Sequence, residues 1–228
     1  MVDGIEIEIW SQPKPNCSVP DFPLWSNTGS VGFRTEQGLA ICATQALNET
    51  KCFEYKQHQW VHFPSLTTPR IHASAINVNR HQTLIIGGYN INNSSNPIPN
   101  RMKSTEVVSS SGAEKGKDFP VTISNSCVIK INSTCALVIA GVQDGMYSTS
   151  TWYVDLPSLQ FTPGLSIKTR RYGHGCATFH LGGKVFGVVA GGLNYDDLVS
   201  STEIIDLDEN SPTSWTEGMQ EKATIVYL

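Results

Sequence analysis

Thr83-Leu84-Ile85-Ile86-Gly87-Gly88 is an apolar run closed by two small residues, and it has copies along the chain. It returns as Leu137-Val138-Ile139-Ala140-Gly141 and as Gly187-Val188-Val189-Ala190-Gly191-Gly192. A worn copy stands at Leu39-Ala40-Ile41-Cys42-Ala43-Thr44. The closing residues Thr44, Gly88, Gly141 and Gly192 are 44, 53 and 51 residues apart. A recurrence of this length marks a repeat architecture, in which each unit buries its apolar face only against a neighbour.

Three further elements keep the same register. Each small-residue close is followed by a stretch of alternating β-formers, the mark of a half-buried strand. These are Glu49-Thr50-Lys51-Cys52-Phe53-Glu54-Tyr55, Ser104-Thr105-Glu106-Val107-Val108, Ser150-Thr151-Trp152-Tyr153-Val154-Asp155 and Ser201-Thr202-Glu203-Ile204-Ile205-Asp206. A fifth copy is Gly4-Ile5-Glu6-Ile7-Glu8-Ile9-Trp10. An aromatic comes next, at Trp60, Phe119, Phe161 and Trp215. Two of the small-residue runs are preceded by Arg70-Ile71-His72-Ala73-Ser74 and by Arg171-Tyr172-Gly173-His174-Gly175-Cys176.

The order R..H…LxVxGG…STEVxxxD…W, from about Ile5 to Trp215, resembles the kelch repeat. The resemblance implies an all-β chain, a kelch-type β-propeller of four-stranded blades in a single domain over residues 1–228. Four whole blades are expected at about 28–64, 70–121, 122–162 and 170–216. A partial blade is expected at 1–20 and a lone strand at 221–228, so the chain reads as a truncated ring. Open edges predict self-association. The Gly pair is expected to end the inner strand, where sheets crowd. His72 and His174 are read as one repeat position, and the recurring Arg, His and Gly residues as structural.

Apolar residues make up 39% of the chain, enough for a buried core, whereas charged residues are only 16%. A net charge of −4 argues against a nucleic-acid binder, which needs a basic face. There is no run of 18 apolar residues, so no membrane span is expected. Met1 to Trp10 has no apolar h-region of a signal peptide.

The six cysteines form no C-x-x-C pair. Cys42 and Cys52 lie on successive strands and can bridge them. Cys127 and Cys135 flank a hairpin-like tip at Asn132-Ser133-Thr134 and are a second candidate pair, which leaves Cys17 and Cys176. Glycosylation acceptors occur at Asn16, Asn48, Asn92, Asn93 and Asn132. Asn16-Cys17-Ser18-Val19-Pro20, Ile41-Cys42 and His174-Gly175-Cys176 resemble segments of secreted invertebrate kelch proteins, which implies an extracellular setting. Six reduced thiols in a cytoplasmic protein is the competing reading.

Nothing in the sequence singles out a catalytic centre. The histidines His58, His62, His72, His81, His174 and His180 do not fall at metal-ligand spacing. Neither a G-x-x-x-x-G-K-[ST] phosphate loop nor a G-x-S-x-G elbow is present. A copper centre similar to that of galactose oxidase needs Tyr and His ligands and a Tyr–Cys crosslink, and no arrangement marks them. Val142 to Thr149 resembles part of a sialidase Asp box, but it occurs once and reads better as a turn at Asp144-Gly145. Gly182-Gly183 reads as another hairpin turn.

The expectation is therefore a non-enzymatic scaffold with no metal or cofactor, engaging an unidentified protein or glycan through loops of one face. The candidate loop residues are Arg70, Tyr89, Asn90, Arg101, Gln143, Asp144, Tyr147, Arg170, Arg171, Tyr172, Asn194 and Tyr195. Tyr and Arg are the types that dominate interface energetics. A ubiquitin-ligase substrate adaptor is the intracellular alternative, although the BTB and helical linker domains of such proteins are not in this sequence.

Overall fold

A computed structural model describes residues 20–24, 29–46, 49–90, 100–195, 197–208 and 214–218. All regular structure among them is β. The first antiparallel sheet holds β1 (Val31–Arg34), β2 (Leu39–Ala46), β3 (Glu49–Lys56) and β4 (Gln59–Phe63). The second unit begins with β5 (Ser74–Asn77) and β6 (Thr83–Ile86). A short ribbon of β7 (Tyr89–Asn90) and β8 (Asn100–Arg101) intervenes, and β9 (Thr105–Ser109) and β10 (Gly112–Lys115) then complete its sheet.

The third unit opens with β11 (Ile123–Ser124), β12 (Cys127–Lys130) and β13 (Cys135–Ile139). Its ribbon is β14 (Val142–Gln143) and β15 (Met146–Tyr147), and β16 (Thr151–Asp155) and β17 (Gln160–Pro163) finish the sheet. The fourth has β18 (Gly175–Leu181) and β19 (Lys184–Ala190), then the ribbon β20 (Leu193–Asn194) and β21 (Asp197–Leu198), then β22 (Thr202–Asp206) and β23 (Thr216–Glu217).

The four sheets are stacked face to face in chain order. The first strands are neighbours in series, β1 against β5, β5 against β12 and β12 against β18. Strand periodicity explains why the second strand of a unit is apolar at successive positions. Ile85 of β6 packs with Val31, Phe33 and Phe63 of the first sheet. Leu84 and Ile86 turn the other way, towards Ala136 and Val138 of the third. Leu137 and Ile139 of β13 in turn meet Val189, Ile205 and Trp215 of the fourth. A strand buried on both faces reads as a continuous apolar run, which is what the repeat displays. This arrangement is propeller-like, and three separate cores fill the spaces between neighbouring sheets.

A chain of backbone bonds joins the units near these first strands. His72 N–H donates to the Gly29 carbonyl (2.8 Å), Asn125 N–H to that of His72 (2.9 Å) and Gly173 N–H to that of Asn125 (3.0 Å). All four residues sit at positive φ, between 53° and 96°. They are equivalent places in successive units. His72 is thus matched by Gly173, and His174 lies one residue further on, which corrects the shared histidine position inferred from sequence.

The Gly pair closes the second strand, and the backbones of neighbouring units come closest along the first strands. The pair is nonetheless a point of crowding. A Cβ on Gly192 would stand 2.7 Å from the Tyr172 carbonyl oxygen and 2.8 Å from His174 Cβ, at φ +92°.

Cys42 and Cys52 are directly opposite on β2 and β3 and form a disulfide, as expected from their places in sequence. Cys127 pairs with Cys176, not with Cys135. Cys127 begins β12 and Cys176 lies in β18, so the bond ties the first strands of adjacent sheets, while Cys135 is a free thiol on β13. A hairpin tip suited to a turn does not bring its flanking side chains together; the packing of neighbouring units does. The expected partial blade, the C-terminal strand, Cys17 and the acceptors Asn16, Asn48, Asn92 and Asn93 lie outside the described residues.

Candidate functional site

The stretch after each Gly pair was expected to be loop, and in three units it forms a two-stranded ribbon. The turn of the ribbon in the third unit is Asp144-Gly145, with φ of 45° and 80°. Both residues therefore take left-handed conformations, the requirement of a tight hairpin turn that Asp-Gly meets at low cost. The Asp144 carboxylate also accepts from Thr122 N–H (3.0 Å) and its hydroxyl (3.1 Å), fixing the ribbon to the segment before β11. Each ribbon gains a third backbone partner from the segment entering its unit. Ile71 pairs with Tyr89, Ser124 with Val142, and Tyr172 with Leu193. Three small sheets thus stand at the same end of the stacked units.

Aromatic side chains gather at this end. Tyr147 stacks on Tyr172, centroids 4.7 Å apart at 11°. Tyr195 meets Tyr147 edge-on at 5.0 Å. Arg170 is exposed and donates through Nη1 to the Tyr195 hydroxyl (3.3 Å). Tyr195 is 54% exposed, and Met146 and Leu198, on the ribbons of the third and fourth units, are exposed too. In the second unit His72 stacks on Tyr89 at 5.3 Å. Burial holds the His72 imidazole below its usual range and raises the Tyr89 phenol, the Arg101 charge opposing the latter. The third and fourth units therefore present a tyrosine cluster with a guanidinium at its rim, assembled across a sheet boundary. Of the residues singled out in the sequence, Tyr89, Arg101 and Tyr147 lie on the ribbons, Tyr172 pairs with one and Tyr195 follows β20.

Other candidates are structural. Arg70 and Arg171 are 2% and 0% exposed. Arg171 donates to the Gly191 (3.0 Å) and Ser201 (2.9 Å) carbonyls, the Ser201 hydroxyl (3.1 Å) and Glu203 (2.9 Å). Arg70 repeats the pattern with Gly87 (2.7 Å), Ser104 (2.9 and 3.3 Å) and Glu106 (2.7 Å). Glu203 also accepts from Lys168 N–H (2.6 Å) and Thr169 N–H (3.0 Å), and Glu106 from Thr67 and Thr68. The Ser-Thr-Glu signature is thus an internal lock between the entry segment and the third strand of the sheet.

The third unit shows what replaces this lock. Ile123 stands at the Arg position and Trp152 at the Glu position, so both charges are lost together and no buried ion is left alone. Gln143 takes over, donating through Nε2 to the Ala140 (3.0 Å) and Ser150 (3.3 Å) carbonyls and accepting from Trp152 Nε1 (3.3 Å). Gln143 and its counterpart Asn90 are 8% and 6% exposed, which removes them from the loop surface on which the sequence placed them. Asn194, at the same place in the fourth unit, is half-buried.

Among the described residues there is no group of three or more His, Cys, Asp or Glu able to hold a metal. No helix among them is long and apolar enough to cross a membrane.

The stack of sheets defines an all-β chain of propeller-like build. A structure of YjhT shares it, with a TM-score of 0.72 at 12% identity, over 90% of this chain and 68% of that one. No protein-family model matches the sequence, and no curated protein does either. At that identity the likeness concerns the fold.

Proposed function

We propose that this chain is a kelch-type β-propeller module that acts as a non-enzymatic binding scaffold, using the ribbon end to engage a protein or glycan ligand. The observation that carries this reading is the cluster of Tyr147, Tyr172 and Tyr195 with Arg170. Rigid aromatics lose little side-chain entropy on contact and offer both an apolar body and a polar tip, and Arg adds directional donors. They are mounted on short ribbons fixed to a stacked core, so the surface is organised before a ligand arrives.

We further propose a secreted setting. Two disulfides support it, since such bonds persist in oxidising compartments. Asn132 supports a glycosylated form: it is exposed at a hairpin tip, and its Oδ1 accepts from Thr134 N–H, the Thr134 hydroxyl and Cys135 N–H.

A photo-crosslinking residue at Met146 or Leu198 tests the site. The expected result is crosslinked species from the extracellular fluid that are lost when Tyr172 and Tyr195 are replaced by Ala. Crosslinking equal in wild type and variant would remove the ribbon end from consideration.

A further inference from the structure

The opposite end of the stack, where the hairpins β1–β2 and β5–β6 turn, holds an open cavity of about 380 Å³. It is lined by Arg34, Thr35, Glu36, Asn77, Asn79, Arg80 and Lys130. The three cations come from three successive units: Arg34 from the end of β1, Arg80 from the β5–β6 turn and Lys130 from the end of β12. This concentration is unusual for a chain of net charge −4.

The lining carries three cations, Arg34, Arg80 and Lys130, against one carboxylate. Glu36, the only acid in the lining, accepts from His81 Nδ1 at 3.0 Å. Arg80 Nε donates to His81 Nε2 at 2.7 Å, so that nitrogen is the acceptor and the ring proton sits on Nδ1, facing Glu36. Arg80 keeps both Nη groups outside this relay. Lys130 Nζ lies against the Asn77 (2.8 Å) and Val78 (3.4 Å) carbonyls, without a carboxylate. Among the described residues neither Arg34, Arg80 nor Lys130 makes an ion pair. The amides are fixed too. Asn77 Nδ2 donates to the Arg34 carbonyl (2.6 Å), and Asn79 Oδ1 accepts from the His81 and Gln82 backbone (2.8 and 3.0 Å). What the cavity offers a ligand is therefore cationic N–H groups converging from three sheets.

We propose that this cavity binds a tetrahedral oxyanion, a phosphate or sulfate group, between Arg34, Arg80 and Lys130. Arg forks match such oxygens in paired hydrogen bonds, and Lys adds a point charge. The site is separate from the tyrosine cluster and does not depend on the proposed role of that end.

Titration calorimetry at constant ionic strength tests it, with inorganic phosphate, phenyl phosphate and phenyl sulfate as probes and chloride as the balancing salt. Saturable one-to-one binding of at least one probe is expected. Preference for phenyl phosphate assigns the site to phosphate esters, and preference for phenyl sulfate to sulfate esters. Arg34→Gln and Arg80→Gln, both exposed, should each weaken binding by about tenfold, with circular dichroism unchanged. Tyr195→Ala should leave it intact. Absence of saturable heat with every probe, or wild-type affinity in both Arg variants, overturns the proposal.

Discussion

Glu203→Gln isolates the internal lock of the fourth unit. The substitution keeps volume and removes one charge, leaving Arg171 fully buried at 0% exposure with no counter-ion. Breaking a buried pair from one side costs about 3–5 kcal/mol, because the survivor retains its desolvation penalty. In a domain of this size each kcal/mol lowers Tm by about 2–4 °C, so the loss should be roughly 10 °C. The third unit supplies the rescue. Arg171→Ile, Asn194→Gln and Glu203→Trp together copy its Ile123, Gln143 and Trp152, with no charge left behind. That triple variant should regain at least half of the lost stability, although it carries more changes. Thermal unfolding by circular dichroism, with disulfides intact, reads both effects. If Glu203→Gln costs under about 1 kcal/mol, or the triple variant loses the sum of its parts, the coupled-lock reasoning is wrong.

Burial, helped by the nearby Arg171 charge, holds the His174 imidazole down to about 4, against an ordinary 6.5. The unfolded chain therefore binds the proton first, and stability present above pH 6.5 is lost as pH falls towards 4, by up to about 3 kcal/mol. His174→Leu should flatten that part of the pH–stability curve relative to wild type, as read by urea unfolding. Non-reducing peptide mapping should recover Cys42 joined to Cys52 and Cys127 joined to Cys176, with Cys135 alkylated without denaturant or reductant; a Cys127–Cys135 peptide would contradict the fold. Reducing the second bond, which spans 49 residues, should lower stability by about 4 kcal/mol in the loop-entropy estimate, measured by denaturant titration. Gly192→Ala places a methyl against the Tyr172 carbonyl at positive φ and should cost about 1–3 kcal/mol, seen as a lower Tm.

The repeat was legible because its cause is local and periodic. Strands buried on both faces are apolar at successive positions, as at Leu84 to Ile86 and Ala136 to Ile139, and that pattern survives in a linear reading. The turn at Asp144-Gly145 was legible for the same reason, since two successive left-handed residues call for that dipeptide. The tyrosines were legible by type and place. Their stacking was not, because Tyr147 and Tyr172 belong to different units and meet only when sheets pack. Arg70 and Arg171 were read both as recurring structural residues and as loop candidates, because Arg is a type that dominates interfaces. The glutamate that draws each one inward lies 36 and 32 residues further on, and only the third dimension pairs them. The Cys127–Cys176 bond and the Arg34, Arg80 and Lys130 cluster join separate units in the same way.

The ribbon end as the binding surface is tested most directly by profiling the purified chain over an array of glycans and extracellular proteins free of phosphate and sulfate groups, alongside Tyr172→Ala with Tyr195→Ala, and alongside Arg80→Gln. The account predicts a set of bound targets that disappears with the tyrosine pair and persists with Arg80→Gln. Targets that remain when both tyrosines are gone would contradict it.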